Sequence, residues 1–370
     1  NTLNQVARQR TPDAGVSEFW YDRLGRLVLS QNAQQSAPSG DGGEPGLRAS
    51  YTLYDHLSRI TEVGQINNAS PAITNAISRN PTQLQNWLNS NLARRQQVTL
   101  TVHDQSAKES FLHKDLSPYI IQQRGNLRNR VSFTLFSKTG DINNYDYAAF
   151  YNYDIHGNVD TLLQDYGATG LLAQNGGRYK RLTYQYDLIA GKVNTVSYQP
   201  RLYDPVTKKY ITQPDAFYHK YSYDAENRLT DVYTSTDELY WEHDAYYEYY
   251  KHGPLARTML GNRQVQGLDY AYTLQGWLKG VNSTAVGTAQ YDAGNDGLAG
   301  SPNHYIARDA FGFSLQYYGN DYTPIKSSNS FADITGGFGS NAKPLYNGNI
   351  SSMAVNIPKL GDARVYAYTY

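Results

Sequence analysis

Tyr221-Ser222-Tyr223-Asp224-Ala225-Glu226-Asn227-Arg228-Leu229 decides the fold. Its two tyrosines stand at i and i+2, so in a strand they point to one face of a sheet. Asp224 follows, and an Asp side chain can bond the backbone two residues on and open a turn. Asn227 tolerates positive φ, which closes a short loop with a twist that suits two strands. Leu229 then starts a return strand, Leu229-Thr230-Asp231-Val232-Tyr233. The stretch reads as a β-hairpin.

The same frame recurs along the chain. Phe19-Trp20-Tyr21-Asp22 leads to Gly25-Arg26-Leu27, and Leu53-Tyr54-Asp55 leads to Ser58-Arg59-Ile60. Tyr151-Asn152-Tyr153-Asp154 leads to Gly157-Asn158-Val159. Tyr184-Gln185-Tyr186-Asp187 reaches Gly191-Lys192-Val193 through a turn one residue longer. Tyr270-Ala271-Tyr272-Thr273 reaches Gly276-Trp277-Leu278, with Thr in place of Asp. The chain opens inside a copy, Asn1 to Val6, and closes at the start of another, Tyr366 to Tyr370. The gaps from Asp55 to Asp154 and from Thr273 to Thr369 are each about three times the Asp22-to-Asp55 interval. Degenerate copies are therefore expected inside both, with Asn126 to Val131 a candidate in the first. One hairpin is marginal in water, so each copy must pair edge to edge with the next.

Composition agrees. The 370 residues hold 35 Tyr against 10 Phe and 4 Trp, and Tyr favours strands, where its ring packs and its hydroxyl finds a partner. Lys+Arg and Asp+Glu are both 33, for a formal net charge of zero, which removes the basic field of a nucleic-acid binder. Cysteine is absent, which excludes disulfides, Cys-based zinc sites and a Cys nucleophile. No apolar run approaches the roughly 18 residues of a membrane span. The polar first ten residues show no signal peptide, and with no initiator Met the chain reads as cut from something longer.

The expected fold is all-β: repeated antiparallel β-hairpins, with one short helix near 81–93. Asn80 there is an N-cap, Pro81 sits at N1, and apolar residues fall at 84, 87, 88 and 92. Residues 31–44, 285–303 and 327–341 are rich in Gly, Asn, Ser or Gln and read as loops. No linker divides residues 1–370, which read as one segment.

The frame Tyr-x-Tyr-Asp-x-x-Gly-Arg-Leu resembles the YD repeat of Rhs proteins, insecticidal toxin-complex C components and teneurins. Tyr21-Asp22, Tyr153-Asp154 and Tyr223-Asp224 carry it most closely. Ser58, the Ala190-Gly191 turn and Thr273 depart from it. The resemblance implies hairpins winding as a β-spiral into a hollow shell, a barrel or cocoon, with this chain a wall segment truncated at both ends. It implies a secreted or cell-surface protein that encloses or presents a toxin-like polypeptide at its C-terminus. The partners would be the rest of the same polypeptide or an enclosed polypeptide cargo, with no nucleic acid and no membrane span. The structural motif residues are then Tyr21, Asp22, Gly25, Arg26, Tyr54, Asp55, Tyr153, Asp154, Gly157, Tyr186, Asp187, Tyr223, Asp224, Asn227, Arg228, Tyr272 and Gly276.

A second reading is a cell-surface adhesion or glycan-binding module, whose exposed tyrosines stack on sugars or meet a surface protein. Against it, the tyrosines recur at the same point of every hairpin, as cross-strand bracing requires. Bracing predicts that the rings of Tyr21, Tyr153, Tyr186, Tyr223 and Tyr272 share one side and stack from hairpin to hairpin.

Three constellations invite chemistry. Arg201-Leu202-Tyr203-Asp204-Pro205, running on to Pro214-Asp215, resembles the start of the Rhs core segment, which in that family leads to a self-cleaving aspartyl-protease-like site. Such a site needs two carboxylates forced together. Only Asp204 and Asp215 are available, and Ala216-Phe217-Tyr218 replaces the Gly-rich continuation, so a hairpin is the better reading. Asp292 to Gly297 looks like a piece of a calcium loop, but Gly294 and Asn303 stand where carboxylates belong. His243, Asp244, Glu248 and His252 split across two faces of a strand. No catalytic residue, cofactor or metal is assigned, and the expectation is a non-enzymatic chain.

Overall fold

A computed structural model describes residues 5–36, 47–119, 121, 123, 126–174, 176–204, 208–211, 213–284, 293–324, 331 and 343–370. The chain divides into two compact units, Asn1–Tyr184 with Tyr198–Gln213, and Gln185–Ser197 with Pro214–Tyr370.

The first unit is an antiparallel meander. Its strands are β1 (Arg8–Thr11), β2 (Gly15–Tyr21), β3 (Leu27–Gln31), β4 (Leu47–Tyr54), β5 (Ile60–Ala69), β6 (Arg95–His103), β7 (Val131–Ser137), β8 (Tyr147–Tyr153), β9 (Val159–Asp165) and β10 (Tyr179–Tyr186). Each pairs antiparallel with the next. β12 (Leu202–Asp204) pairs with β13 (Lys209–Ile211) as a separate hairpin, while β11 (Val193–Tyr198), after the Asp187 turn, belongs but for Tyr198 to the second unit.

Among the described residues four short α-helices accompany the strands: α1 (Ala33–Ser36), α2 (Asn75–Arg79), α3 (Pro81–Ser90) and α4 (Leu171–Gln174). α3 is the helix expected from sequence. The Asn80 side chain accepts from the Gln83 N–H at 3.0 Å, and Pro81 supplies a preset φ at the first turn. The other three are one-turn elements too short to leave a periodic signal, and α1 lies inside the stretch read as a loop.

The helices explain the core. α3 lowers Leu84, Trp87 and Leu88 onto Leu29, Ala49, Tyr51 and Ile66 of β3, β4 and β5. Each such burial is worth about 1.5–3 kcal/mol. A second cluster joins Phe133, Leu135, Phe150 and Leu163 of β7–β9 to Ala107, Leu116 and Ile121 from the β6–β7 connection. Asp165 lies fully buried beside this cluster. It accepts from Lys114 Nζ, Tyr145 Oη at 2.6 Å, Arg178 Nε at 2.7 Å and the Gly167 N–H at 3.0 Å.

The second unit continues the antiparallel pattern. β14 (Phe217–Tyr223), β15 (Leu229–Ser235), β16 (Glu242–Tyr249), β17 (Leu255–Leu260), β18 (Gln266–Tyr272), β19 (Leu278–Val281), β20 (Gly312–Gln316), β21 (Ser352–Asn356) and β22 (Arg364–Ala367) each pair with the next. Its interior is more polar. Arg257 bridges Asp269 and Asp296 at 2.5 Å each, with the Asp296 side chain fully buried. Gly267 and Gly294 make room for that guanidinium, since a Cβ at either would fall 2.0–2.1 Å from it. No helix among the described residues is long and apolar enough to cross a membrane.

Candidate functional site

The repeated frame is the feature that organises the surface, and its turn geometry is uniform. At Asp22 the backbone N–H donates to the Arg26 carbonyl at 2.9 Å, and the Gly25 N–H returns to the Asp22 carbonyl at 3.1 Å. Asp22 Oδ1 accepts from the N–H groups of Leu24 and Arg26 at 2.9 Å, and Oδ2 takes Arg26 Nε at 2.7 Å. Asp55 with Arg59, and Asp224 with Arg228, repeat this set within 0.1 Å. At Asp154, Asn158 Nδ2 stands in for the guanidinium at 3.0 Å. At the longer Asp187 turn, Oδ1 accepts from the N–H groups of Ile189 and Ala190. At Thr273 the hydroxyl accepts from the Trp277 N–H at 3.2 Å.

The residue two positions before the return strand lies in the left-handed region: Gly25 at φ +83°, Ser58 at +64° and Asn227 at +62°. Only glycine enters that region without steric cost. Gly157 at +96° and Gly276 at +82° fill the same place.

Register shows that the frame extends to copies the sequence hides. Tyr21 faces Leu27, Tyr54 faces Ile60, Tyr153 faces Val159, Tyr223 faces Leu229 and Tyr272 faces Leu278, each with a one-residue bulge beside it. Tyr249 and Leu255 pair in the same way, so Tyr247-Glu248-Tyr249-Tyr250 to Gly253 is a copy with Tyr250 at the Asp place. His103 and Val131 pair in the same way too. That copy is split: Asp104 closes one half, and Leu127-Arg128-Asn129-Arg130 forms the other. The Asp104 N–H donates to the Arg130 carbonyl at 3.2 Å, and Asn129 has φ +60°. The register Gln316↔Ser352 places Tyr317 and Ile350 in the same roles, again split. Among the described residues each long gap thus holds one copy lengthened by an insert, not a run of copies of standard length. Asn126 to Val131 was legible as a turn half, and Tyr249 was detectable once Tyr was allowed for Asp.

Six copies are each tied to the preceding one by a single rung. The motif tyrosine hydroxyl donates to the carbonyl of the aliphatic residue in the preceding copy. The pairs are Tyr21 to Val6 at 3.0 Å, Tyr54 to Leu27 at 2.9 Å, Tyr153 to Val131 at 2.7 Å, Tyr223 to Val193 at 2.8 Å, Tyr249 to Leu229 at 2.8 Å and Tyr317 to Leu278 at 2.8 Å. The motif arginine covers the same ring: Arg26 lies 4.7 Å from the centroid of Tyr54, Arg130 5.4 Å from Tyr153 and Arg228 4.5 Å from Tyr249. Where Trp277 replaces the arginine, its ring packs on Tyr317 at 5.0 Å. This corrects the expectation of ring-on-ring stacking at the three arginine copies, where the contact between hairpins is cation on ring, while Tyr272 meets Tyr250 of the preceding copy edge to face at 6.4 Å. The arginine also reaches the next turn, through Arg26 to the Asp55 carbonyl at 3.2 Å and Arg59 to Asp104 Oδ2 at 2.6 Å. Tyr21, Tyr153, Tyr186, Tyr223 and Tyr272 are all half-buried.

Two predictions follow from this geometry. Asp22→Ala removes the Oδ1 acceptor of two turn bonds and the Arg26 partner, and should cost about 1–2 kcal/mol, as loss of a capping side chain does. Asp22→Asn keeps the Oδ1 acceptor and should recover most of that loss, read as the urea midpoint. The second concerns alkali. Burial holds the hydroxyls of Tyr54, Tyr153, Tyr223, Tyr249 and Tyr317 above the usual 10.0, against the opposing pull of Arg26, Arg130 and Arg228 on Tyr54, Tyr153 and Tyr249, and burial pushes Tyr250 up to about 12. The folded state keeps these protons while the unfolded chain loses them near pH 10. Their contribution is therefore complete below pH 10 and is lost as pH rises through the folded values. Absorbance titration should show a tyrosine class that ionises only as far-UV circular dichroism collapses. Smooth titration of every tyrosine near pH 10 with the fold intact would contradict it.

Among the described residues no three of His, Asp and Glu are grouped so as to hold a metal ion. In β16, His243 Nε2 lies 3.0 Å from Asp231 Oδ1, while Asp244 accepts from Thr234 Oγ1 at 2.7 Å. Of the calcium-like stretch, Asp292 lies outside the described residues, and Asp296 is the carboxylate held by Arg257. Asp204 ends β12, its side chain outside the described residues, and Asp215 belongs to the second unit. Residues 37–44, 285–292, 327–330 and 332–341 of the sequence-predicted loops also lie outside them.

No family model matches the sequence, and no curated protein does. Among solved structures, the chain is similar to TcdB2-TccC3, at 12% identity and TM-score 0.32, covering 98% of this chain and 16% of that one. It is similar to the Photorhabdus luminescens Tc holotoxin pore, at 11% identity and TM-score 0.32, covering 99% of this chain and 16% of that one. A porin-like protein from Bacteroides uniformis matches at 7% identity and TM-score 0.27, over 64% of this chain and 82% of that chain.

Proposed function

We propose that the chain is a wall segment of a large secreted or cell-surface YD-repeat protein, and that the wall encloses or presents another polypeptide, such as a toxin-like C-terminal region. One observation carries this reading. Of the residue types of the repeat that could do chemistry, aspartate is engaged in closing its own turn, and tyrosine and arginine in joining one hairpin to the next. A module built to bind sugar would leave those ring faces open, whereas Arg26, Arg130 and Arg228 cover three of them. The wall itself has no catalytic role in this reading.

The test is limited proteolysis of the longest native polypeptide that contains these residues. Sequence outside the repeats should resist protease while the hairpins are folded and become cleavable when urea opens them. Equal cleavage in both conditions would overturn the enclosure. A glycan array showing binding that is lost on Tyr→Ala changes at the motif positions would favour the adhesive alternative. Self-cleavage of the purified chain near Asp204 or Asp215 would overturn the non-enzymatic reading.

A further inference from the structure

The second unit contains a buried trio outside the repeat frame. Lys279 on β19, Gln316 at the end of β20 and Asp321 just beyond it are each 4% exposed or less. Lys279 Nζ lies 2.9 Å from Gln316 Oε1 and 2.7 Å from Asp321 Oδ1. Gln316 Nε2 lies 3.3 Å from the same Asp321 oxygen and donates to the Tyr318 carbonyl at 2.9 Å. The Tyr317 N–H fixes the other carboxylate oxygen at 2.8 Å. An amine, a carboxamide and a carboxylate that touches both nitrogens are therefore held together out of water. β19 and β20 are already paired, through Gly280↔Ser314, so the trio sits across two neighbouring strands.

We propose that this trio forms a covalent cross-link on its own, an isopeptide bond between Lys279 and Gln316, with Asp321 as the acid–base group. In a low-dielectric site an ammonium and a carboxylate gain by passing one proton between them and becoming neutral. Asp321 takes a proton from Lys279, which frees the Nζ lone pair. Nζ attacks Cδ of Gln316 and forms the new C–N bond. The proton that Nζ then sheds passes through Asp321 to Nε2. The Cδ–Nε2 bond breaks, the leaving ammonia carries off as ammonium the proton Asp321 first took from Lys279, and Asp321 ends as the carboxylate it began as. One amide replaces another, with no oxidant and no cofactor. Fixed contact between the reacting groups converts a very slow bimolecular aminolysis into an intramolecular one. The product would be a redox-independent staple in a chain that has no cysteine.

Intact-mass measurement on the folded chain tests this. The protein should be lighter than its sequence mass by one ammonia, and peptide mapping should show Lys279 and Gln316 in one branched peptide. Lys279→Arg and Asp321→Asn should both restore the full sequence mass, with folding checked by circular dichroism. The wild-type mass decides the matter even if a variant fails to fold. Full sequence mass after prolonged incubation of the folded wild type overturns the proposal. So does an ammonia loss that maps elsewhere, or one that persists in folded Asp321→Asn.

Discussion

Asp165→Ala should destabilise the first unit by about 3–5 kcal/mol, because removing one member of a buried ionic cluster strands the others. Lys114 and Arg178 converge on this one carboxylate, and Tyr145 donates to it as well. Without it, two cations face the apolar floor made by Phe133, Leu135 and Phe150. The same contacts fix the response to acid. Burial alone would raise the Asp165 pKa, but the bonds from Arg178, Lys114 and Tyr145 outweigh it and hold the value below the usual 3.8. The stabilisation is therefore present above the unfolded value and is lost as pH falls through the depressed one. Urea midpoints should be steady at neutral pH and drop below pH 3.8, and Asp165→Ala should flatten that drop. An unchanged midpoint in Asp165→Ala would show that the cluster is dispensable.

Arg257→Met should have a comparable effect on the second unit, about 3–5 kcal/mol. It takes the guanidinium from Asp269 and from the fully buried Asp296. Charge is the cause, so adding Asp296→Asn to Arg257→Met should recover a substantial part of the loss. If the double change is worse than the single one, lost packing and not an unpaired carboxylate is responsible. The measurement is chemical denaturation of the single, the double and the Asp296→Asn chains.

The hairpin was legible in the sequence because its determinants are local. Asp, the left-handed residue and the aliphatic residue fall within six positions, and their bonds in the structure are bonds to each other. α3 was legible for the same reason, from Asn80 and Pro81. The rungs were not. A tyrosine donating to a carbonyl in the preceding copy depends on how hairpins lie side by side, and one hairpin's sequence carries no mark of it. The arginine was visible as part of the frame, but its place over the next tyrosine was not. The split copies escaped because their halves are distant in sequence and each half alone is an ordinary strand end or turn. The buried trio of Lys279, Gln316 and Asp321 follows no pattern at all, since an insert brings Asp321 back against β19.

The split copies have a consequence for how such a chain can vary. Asp104 and Arg130 meet across one backbone hydrogen bond although residues 105–129 leave the hairpin and return. The mouth of the turn therefore works as a socket: its strands, bulge and rung are complete whatever passes between the two lips. Loop closure adds only about 0.6 kcal/mol for each doubling of loop length, so extra sequence there is thermodynamically cheap. Scaffold and ornament can then change at different rates, the scaffold keeping its spacing while whole peptides are exchanged at the sockets. Each of the two long gaps in the repeat holds an insert at such a socket.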